Sequence, residues 1–424
     1  MLQGIGILVV FLIFAALMMT QRVSTLLALI AMAILIALIG GVPLLGKDGI
    51  VENVISAGAL RLASAYAAVM FGAWLGQVMF QTGISQDIIR RAAELGGDRP
   101  QAVGFAMAAV TALLFTTMSG LGAVIMIGTI VLPILMAVGI KPLKAAFIYM
   151  VGMAVGFVIN LMNLNTYATL AGVTVDLIRP FGMIQLVISG VIGLVAVYLE
   201  LRKPEVAWAA VDTEKLKEDL AKLKKVPIYA LLTPLIPLVL VLALKWSVIP
   251  AFLVGIIYAA LTTAGRDTLR MLTKAAHDGL VDGGPAILLM VAIGMVLNAV
   301  FHPTVKAVMQ SVLGSIVPTS PIPYILFFAA LAPLALYRGP MNMWGLGSGI
   351  LATIISTGIL PPIAAMAGFM STERVQSVGD PTNTQTAWTA GFANIEVNAL
   401  AKKLLPWLWL MAAVSAAVAG FRYL

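Results

Sequence analysis

The sequence predicts an all-α polytopic membrane protein made of two inverted-topology repeats, each with a re-entrant helical hairpin and a broken transmembrane helix. Three observations predict it. The 424 residues are 61% hydrophobic and only 10% charged, whereas a soluble domain carries about 25% charged residues. The mean hydropathy of +1.04 says the same. The apolar runs are long and do not alternate, so they suit helices in lipid rather than barrel strands. Several runs are also interrupted by stretches too short to be loops.

Composition excludes several classes of function. There are no cysteines and only two histidines. Disulfides and thiolate chemistry are therefore absent. His277 and His302 stand in separate polar segments, so a multi-histidine metal site is not expected. No G-x-x-x-x-G-K-[ST] loop is present, which excludes a built-in P-loop ATPase. No serine–histidine–aspartate cluster or H-E-x-x-H motif stands out, and no enzyme activity or bound cofactor is expected. The net charge of +8 is spread over segment ends and one linker, a pattern that suits membrane orientation rather than nucleic acid.

The elements follow in order. Runs at 4–20, 23–45 and 54–82 predict three membrane helices. The first lacks a basic leader and an A-x-A cleavage site, so it reads as a helix and not a signal peptide. Segment 102–140 folds back at Ser119-Gly-Leu-Gly122 and predicts the first hairpin. Segment 143–178 is interrupted at Asn160–Asn165 and predicts the first broken helix; 183–200 closes the half. Residues 201–227 hold seven basic residues among acidic ones and predict a charged cytoplasmic linker. The second half repeats the plan: 228–246, 247–265 and 280–301, a hairpin over 321–360 turning at Arg338–Asn342, a helix over 361–398 broken at Gly379–Thr384, and a last helix at 405–421. The domains are therefore residues 1–200, the linker 201–227, and residues 228–424. With the linker inside, most Lys and Arg fall on the same face. Both termini are then extracytoplasmic in a multi-pass inner (plasma) membrane protein.

Breaks inside membrane segments are the places to look for chemistry. A broken helix presents N–H groups at one new end and C=O groups at the other. Asn and Thr supply neutral donors and acceptors there. Asn165-Thr166 in the first break and Asn383-Thr384 in the second are the leading substrate-binding pair, and capping of the broken ends is their competing role. Ser119, Gly120 and Gly122 form a small-residue tip that lets backbone approach a ligand or pack closely. Arg338 stands at the second tip with Asn342. Its planar fork matches a carboxylate, and pairing with Asp380 or Glu373 is the alternative. Asp380, with Asn163 and Thr382, is the candidate ion-coupling set, because carboxylates at membrane depth are functional by default. Glu373 and Arg374 read as a local pair, and Asp282 as a helix cap.

At these breaks the chain resembles the ion transporter superfamily, which includes divalent anion:sodium symporters, citrate transporters and gluconate:proton symporters. Asn165-Thr166 and Asn383-Thr384 match the Asn-Thr of its paired Ser-Asn-Thr motifs. Leu164 and Thr382 stand where the serines would be. The resemblance implies secondary transport of citrate, a C4-dicarboxylate or a sugar acid, coupled to Na⁺ or H⁺. It also implies a homodimer with a scaffold and an elevator-like moving part. A cation/proton antiporter is the alternative.

Overall fold

In lipid, each backbone polar group must be satisfied within its own segment. Accordingly, the computed structural model is helical throughout, with no strand among the described residues: 2–20, 22–97, 99–202, 224–265, 267–313 and 317–424. Most of the expected linker lies outside them.

The first half comprises α1 (Leu2–Met19), α2 (Thr25–Ile39), α3 (Ile50–Gln81), α4 (Ile84–Gly96), the arms α5 (Pro100–Phe115) and α6 (Gly120–Ala137), the pair α7 (Pro142–Val158) and α8 (Leu161–Ala171), and α9 (Val175–Arg202). After a short 3₁₀ turn, the second half matches it element for element. It runs α10 (Leu235–Leu242), α11 (Val248–Thr262), α12 (Thr268–Phe301), α13 (Pro303–Leu313), the arms α14 (Pro321–Arg338) and α15 (Gly347–Thr357), the pair α16 (Pro362–Gly379) and α17 (Thr384–Phe392), and α18 (Val397–Tyr423). The repeat, the hairpins and the broken helices are as the sequence predicts.

Several bounds differ: the first broken helix ends at Ala171 and α9 begins at Val175, not 183, while the second ends at Phe392 and α18 begins at Val397, not 405. Helix α3 starts four residues before its apolar run, and its first eight residues (Ile50–Ala57) are π-helical. Helix α12 starts at Thr268 and runs 34 residues, because an amphipathic stretch precedes the apolar run. Helices α4 and α13 were not expected. Both are amphipathic rather than wholly apolar, so hydropathy alone passes over them.

Helix α3 packs along α12, flanked by α2 and α11. Glycine sets their spacing: a Cβ on Gly294 would lie 2.3 Å from the Gly58 carbonyl oxygen. Only a residue without Cβ allows that approach. Arg61 is held in this seam by a neutral amide and an aromatic ring. Its Nη1 donates to Asn298 Oδ1 at 2.7 Å, and its guanidinium lies 4.6 Å from the centre of the Phe301 ring. Asn298 in turn donates to the Asn53 carbonyl at 2.7 Å. Around this seam lie the hairpins and broken helices, with α9 and α18 packed together on the far side.

Helix α4 is tied to the end of the linker by Asp87. Its buried carboxylate accepts from Arg90 Nε at 3.0 Å, Arg91 Nε at 3.1 Å and the Val226 amide at 3.4 Å. Burial alone would raise its pKa, but the hydrogen bonds from Arg90, Arg91 and Val226 outweigh burial and hold it below the usual carboxylate range. A depressed folded-state pKa means that stability is present above the unfolded value, about 3.9, and is lost as pH falls through the lower folded value. Asp87→Asn is expected to cost about 2 kcal/mol at pH 7. Its melting temperature should lie below the parent's at neutral pH and approach it below about pH 4. Parallel melting curves for the two proteins across that range would overturn the assignment.

Candidate functional site

The first hairpin and the first broken helix are joined by one residue. The chain bends by 50° between α7 and α8, and Asn160 stands at the bend. Its Oδ1 accepts from the amides of Met162 and Asn163, each at 3.1 Å, capping α8. Its Nδ2 donates to the carbonyls of Phe115 and Met118, at 2.8 and 3.1 Å. These are the carbonyls freed where α5 ends. One buried amide therefore satisfies both frayed ends. Asn160→Ala removes a cap, worth about 1 kcal/mol, and leaves two buried carbonyls short of a donor. Its unfolding in detergent should show a loss of about 3 kcal/mol in total; a change below about 1 kcal/mol would contradict this account.

The bend corrects the register read from sequence. Asn160, not Asn165, is the structural counterpart of Asn383, since each immediately precedes the second half-helix. Asn165 lies one turn inside α8 and donates to the Ser64 carbonyl on α3 at 3.1 Å.

The second tip is held differently. Tyr337 and Arg338 both take left-handed backbone conformations, with φ of 55° and 59°. Such conformations cost a non-glycine residue on the order of 1 kcal/mol each, so the surroundings must enforce them. Asp380 does so. Its carboxylate is fully buried and accepts the Arg338 backbone amide at 3.2 Å, Asn342 Nδ2 at 3.4 Å, and the Thr382 amide and hydroxyl at 2.9 and 2.7 Å. Asn342 also reaches back to the Ala335 carbonyl at 3.0 Å and takes the Trp344 amide at 2.9 Å. Asp380, Thr382 and Asn342 thus bind the hairpin tip to the break between α16 and α17.

Between the two tips and the two breaks lies a cavity of about 310 Å³. Of the residues expected at the site, Ser119, Gly120, Asn163, Thr166, Arg338, Asn383 and Thr384 line it; Gly122, Asn165, Asn342, Asp380 and Thr382 do not. The wall also holds Asp282, Trp344, Glu373, Gln376, Ser377 and Gln385, none of which the sequence reading placed there. Two half-helix ends open onto it. At α6, Ser119 makes no capping bond, and the Asp282 carboxylate fills the space: a Cβ on Gly122 would lie 2.1 Å from Asp282 Oδ2. That glycine therefore makes room for Asp282, which also accepts from Gln77 Nε2 at 2.7 Å. At α17, Asn383 makes no capping bond to the helix. Its amide instead donates to the Gln376 carbonyl at 2.6 Å, and Gln385 and Thr386 donate to the Ser377 and Val378 carbonyls at 2.7 and 3.1 Å. Side chains of α17 thus quench the carbonyl end of α16 and leave the positive end of α17 uncapped.

The Arg338 guanidinium completes the arrangement. Its one hydrogen bond among the described residues is long, 3.5 Å from Nη1 to the Trp344 carbonyl, and no described carboxylate is in ion-pair contact with it. Two solved structures share this architecture. The YdaH transporter of Alcanivorax borkumensis, described as having an unusual topology, is 15% identical with a TM-score of 0.57, over 89% of each chain. MtrF of Neisseria gonorrhoeae, described with a class of antimetabolite efflux pumps, is 12% identical with a TM-score of 0.58, over 90% of this chain and 85% of that one. The chain has a membrane-transporter fold. No protein-family model and no curated protein matches its sequence.

Within this transporter fold, the two missed acidic residues share one property. Asp282 and Glu373 lie inside helices, where an acidic residue reads from sequence as a cap or a local pair. Glu373 and Arg374 are consecutive on α16 and both approach Tyr167 of α8; Arg374 is buried and donates from Nη1 to the Ala154 carbonyl at 3.3 Å. Their position inside apolar surroundings was the available signal.

Proposed function

We propose that the protein is a secondary active transporter that moves a small organic carboxylate anion, such as citrate, a C4-dicarboxylate or a sugar acid, together with H⁺ or Na⁺. The observation that carries this is the uncommitted Arg338 guanidinium facing the same cavity as the uncapped N-terminus of α17. A planar cation and a ring of free backbone N–H groups are complementary to a carboxylate. Thr384, Gln385, Asn163 and Thr166 supply neutral partners for its other oxygens. The cavity volume lies at the small end of ligand pockets, which suits a small acid. Crossed pairing of the halves, α17 with α6 and α8 with α15, supports alternating access around this point. Inner-membrane placement with both termini outside, a homodimer and an elevator-like motion belong to the same reading and rest on the resemblance.

A second reading has its own observation. Two carboxylates, Asp282 and Glu373, share the cavity wall, and that supports cation/proton exchange. One experiment separates the two. Purified protein in proteoliposomes is given labelled citrate, succinate, malate, gluconate or lactate, under an inward Na⁺ gradient or an inward H⁺ gradient. Accumulation of one acid under one gradient is the expected result. No accumulation of any acid, with Na⁺/H⁺ exchange in the same vesicles, would replace the first reading by the second.

A further inference from the structure

Three carboxylates lie near the centre of the protein, and two are spoken for. Asp380 accepts four hydrogen bonds. Asp282 accepts from Gln77 and lies against the first turn of α6. Glu373 differs. It is only 2% exposed, it lines the cavity, and its Oε2 is buried with no hydrogen-bond partner. The Gln376 Oε1, one turn further along α16, is likewise without a partner, as is the Tyr167 hydroxyl. An ionised carboxylate with an unmatched oxygen in such a place depends on the cations and donors beside it. A protonated one can donate to Gln376 Oε1, while the Tyr167 hydroxyl and Arg374 Nε, also without partners, are the donors available to the ionised form.

The charged and titratable groups that face Glu373 are few. They are Arg374 beside it, Arg338 from the second tip, Tyr167 from α8 and, across the cavity, Asp282 from α12. Helices α15 and α17 carry no titratable side chain, and Lys403 of α18 is paired with Glu200. Arg374 is constant whether or not the site is loaded. Arg338 is not constant, because a bound anion takes up its field.

We propose that Glu373 is the proton-coupling carboxyl of the transport cycle, and that it takes up one proton when an anion binds at Arg338. This rests on the anion-transport reading above. In the empty site, Arg338 helps to hold Glu373 ionised. Once a substrate carboxylate occupies Arg338, Glu373 loses that compensation, and a proton from water replaces it on Oε2. The proton cancels one unit of the anion's negative charge, so for a monocarboxylate such as a sugar acid the loaded and empty sites carry the same net charge. By linkage, the proton must strengthen anion binding as much as the anion strengthens proton binding.

The test is binding of the transported acid to the purified full-length protein in weakly buffered detergent, with a pH dye in solution. The parent protein should take up about one proton per acid bound, and its Kd should fall up to about tenfold per unit fall in pH where Glu373 is ionised in the free protein. Glu373→Gln, which mimics the protonated form, should bind the acid with a pH-independent Kd and no proton uptake. In vesicles it should exchange labelled for unlabelled acid but fail to accumulate it under an H⁺ gradient. Glu373→Asp should keep the proton uptake. Undiminished proton uptake in folded Glu373→Gln overturns the proposal and leaves the transport reading standing, and so does complete loss of binding in that variant. Failure of the parent protein to bind any acid overturns the transport reading, and this proposal with it.

Discussion

Replacing Arg338 with alanine should lower kcat/KM for acid uptake at least 100-fold, while the protein stays folded. The magnitude follows from removing a desolvated partner of a carboxylate, on the order of 3 kcal/mol or more, with each 1.4 kcal/mol worth a factor of ten. The retained fold follows from which atom does the structural work. Asp380 is held by the backbone amide of Arg338, which alanine keeps. Alanine also inherits the left-handed backbone at φ 59° without relieving it, so the tip should not move. Arg338→Lys keeps the charge but loses the planar fork, and should recover only part of the rate, about tenfold over alanine. Uptake kinetics beside thermal unfolding give the answer. Normal uptake in Arg338→Ala would remove the guanidinium from the substrate site, and with it the main support for an anionic ligand.

Asp380→Ala should act in the opposite way, on the fold before the chemistry. Four donors converge on this carboxylate, and two of them, the Arg338 and Thr382 amides, would be left unpaired at a buried tip; Asn342 Nδ2 keeps the Ala335 carbonyl, and Thr382 Oγ1 can turn elsewhere. Removing one member of a buried charged network costs about 3–5 kcal/mol. With Asp380 gone, the Arg338 amide loses its acceptor, and Tyr337 and Arg338 lose one restraint on their left-handed backbone. The expected result is a sharp fall in folded yield and a melting temperature lower by several degrees. Asp380→Asn keeps acceptor capacity on one oxygen and should fall between the two, with its ion dependence unchanged in the folded fraction. A stable Asp380→Asn that had lost its response to the ion gradient would return the coupling role to this residue.

These two residues also illustrate what could be read before the structure. Arg338 was recognisable because an arginine between two apolar runs has few places to go. Asp380 was recognisable as important for the same reason, but its partners were not. The donors that fill it come from a turn 38 residues away at Asn342 and from a backbone amide at Arg338, and neither relation leaves a mark on local sequence. The register of the first break shows a similar limit. Asn165-Thr166 resembles Asn383-Thr384 in letters, yet the helix begins at Asn160, where an amide can reach the frayed carbonyls of α5. Local similarity finds residue types; satisfaction of buried backbone groups decides which asparagine sits at the bend.

The sequence by itself determined that this chain lives in lipid, that it is helical, and that it has two matching halves with interrupted segments. Hydropathy, the cost of unpaired backbone in a bilayer and the charge asymmetry leave little else open. Only the tertiary structure decided which residues meet: Arg338, Glu373 and Asp282 around one cavity, Asp380 and Asn160 as clasps outside it. The physical reason is that the cost or use of a buried polar atom depends on what stands opposite it, and here what stands opposite comes from segments far apart in the chain, as Asp282, Arg338 and Glu373 do.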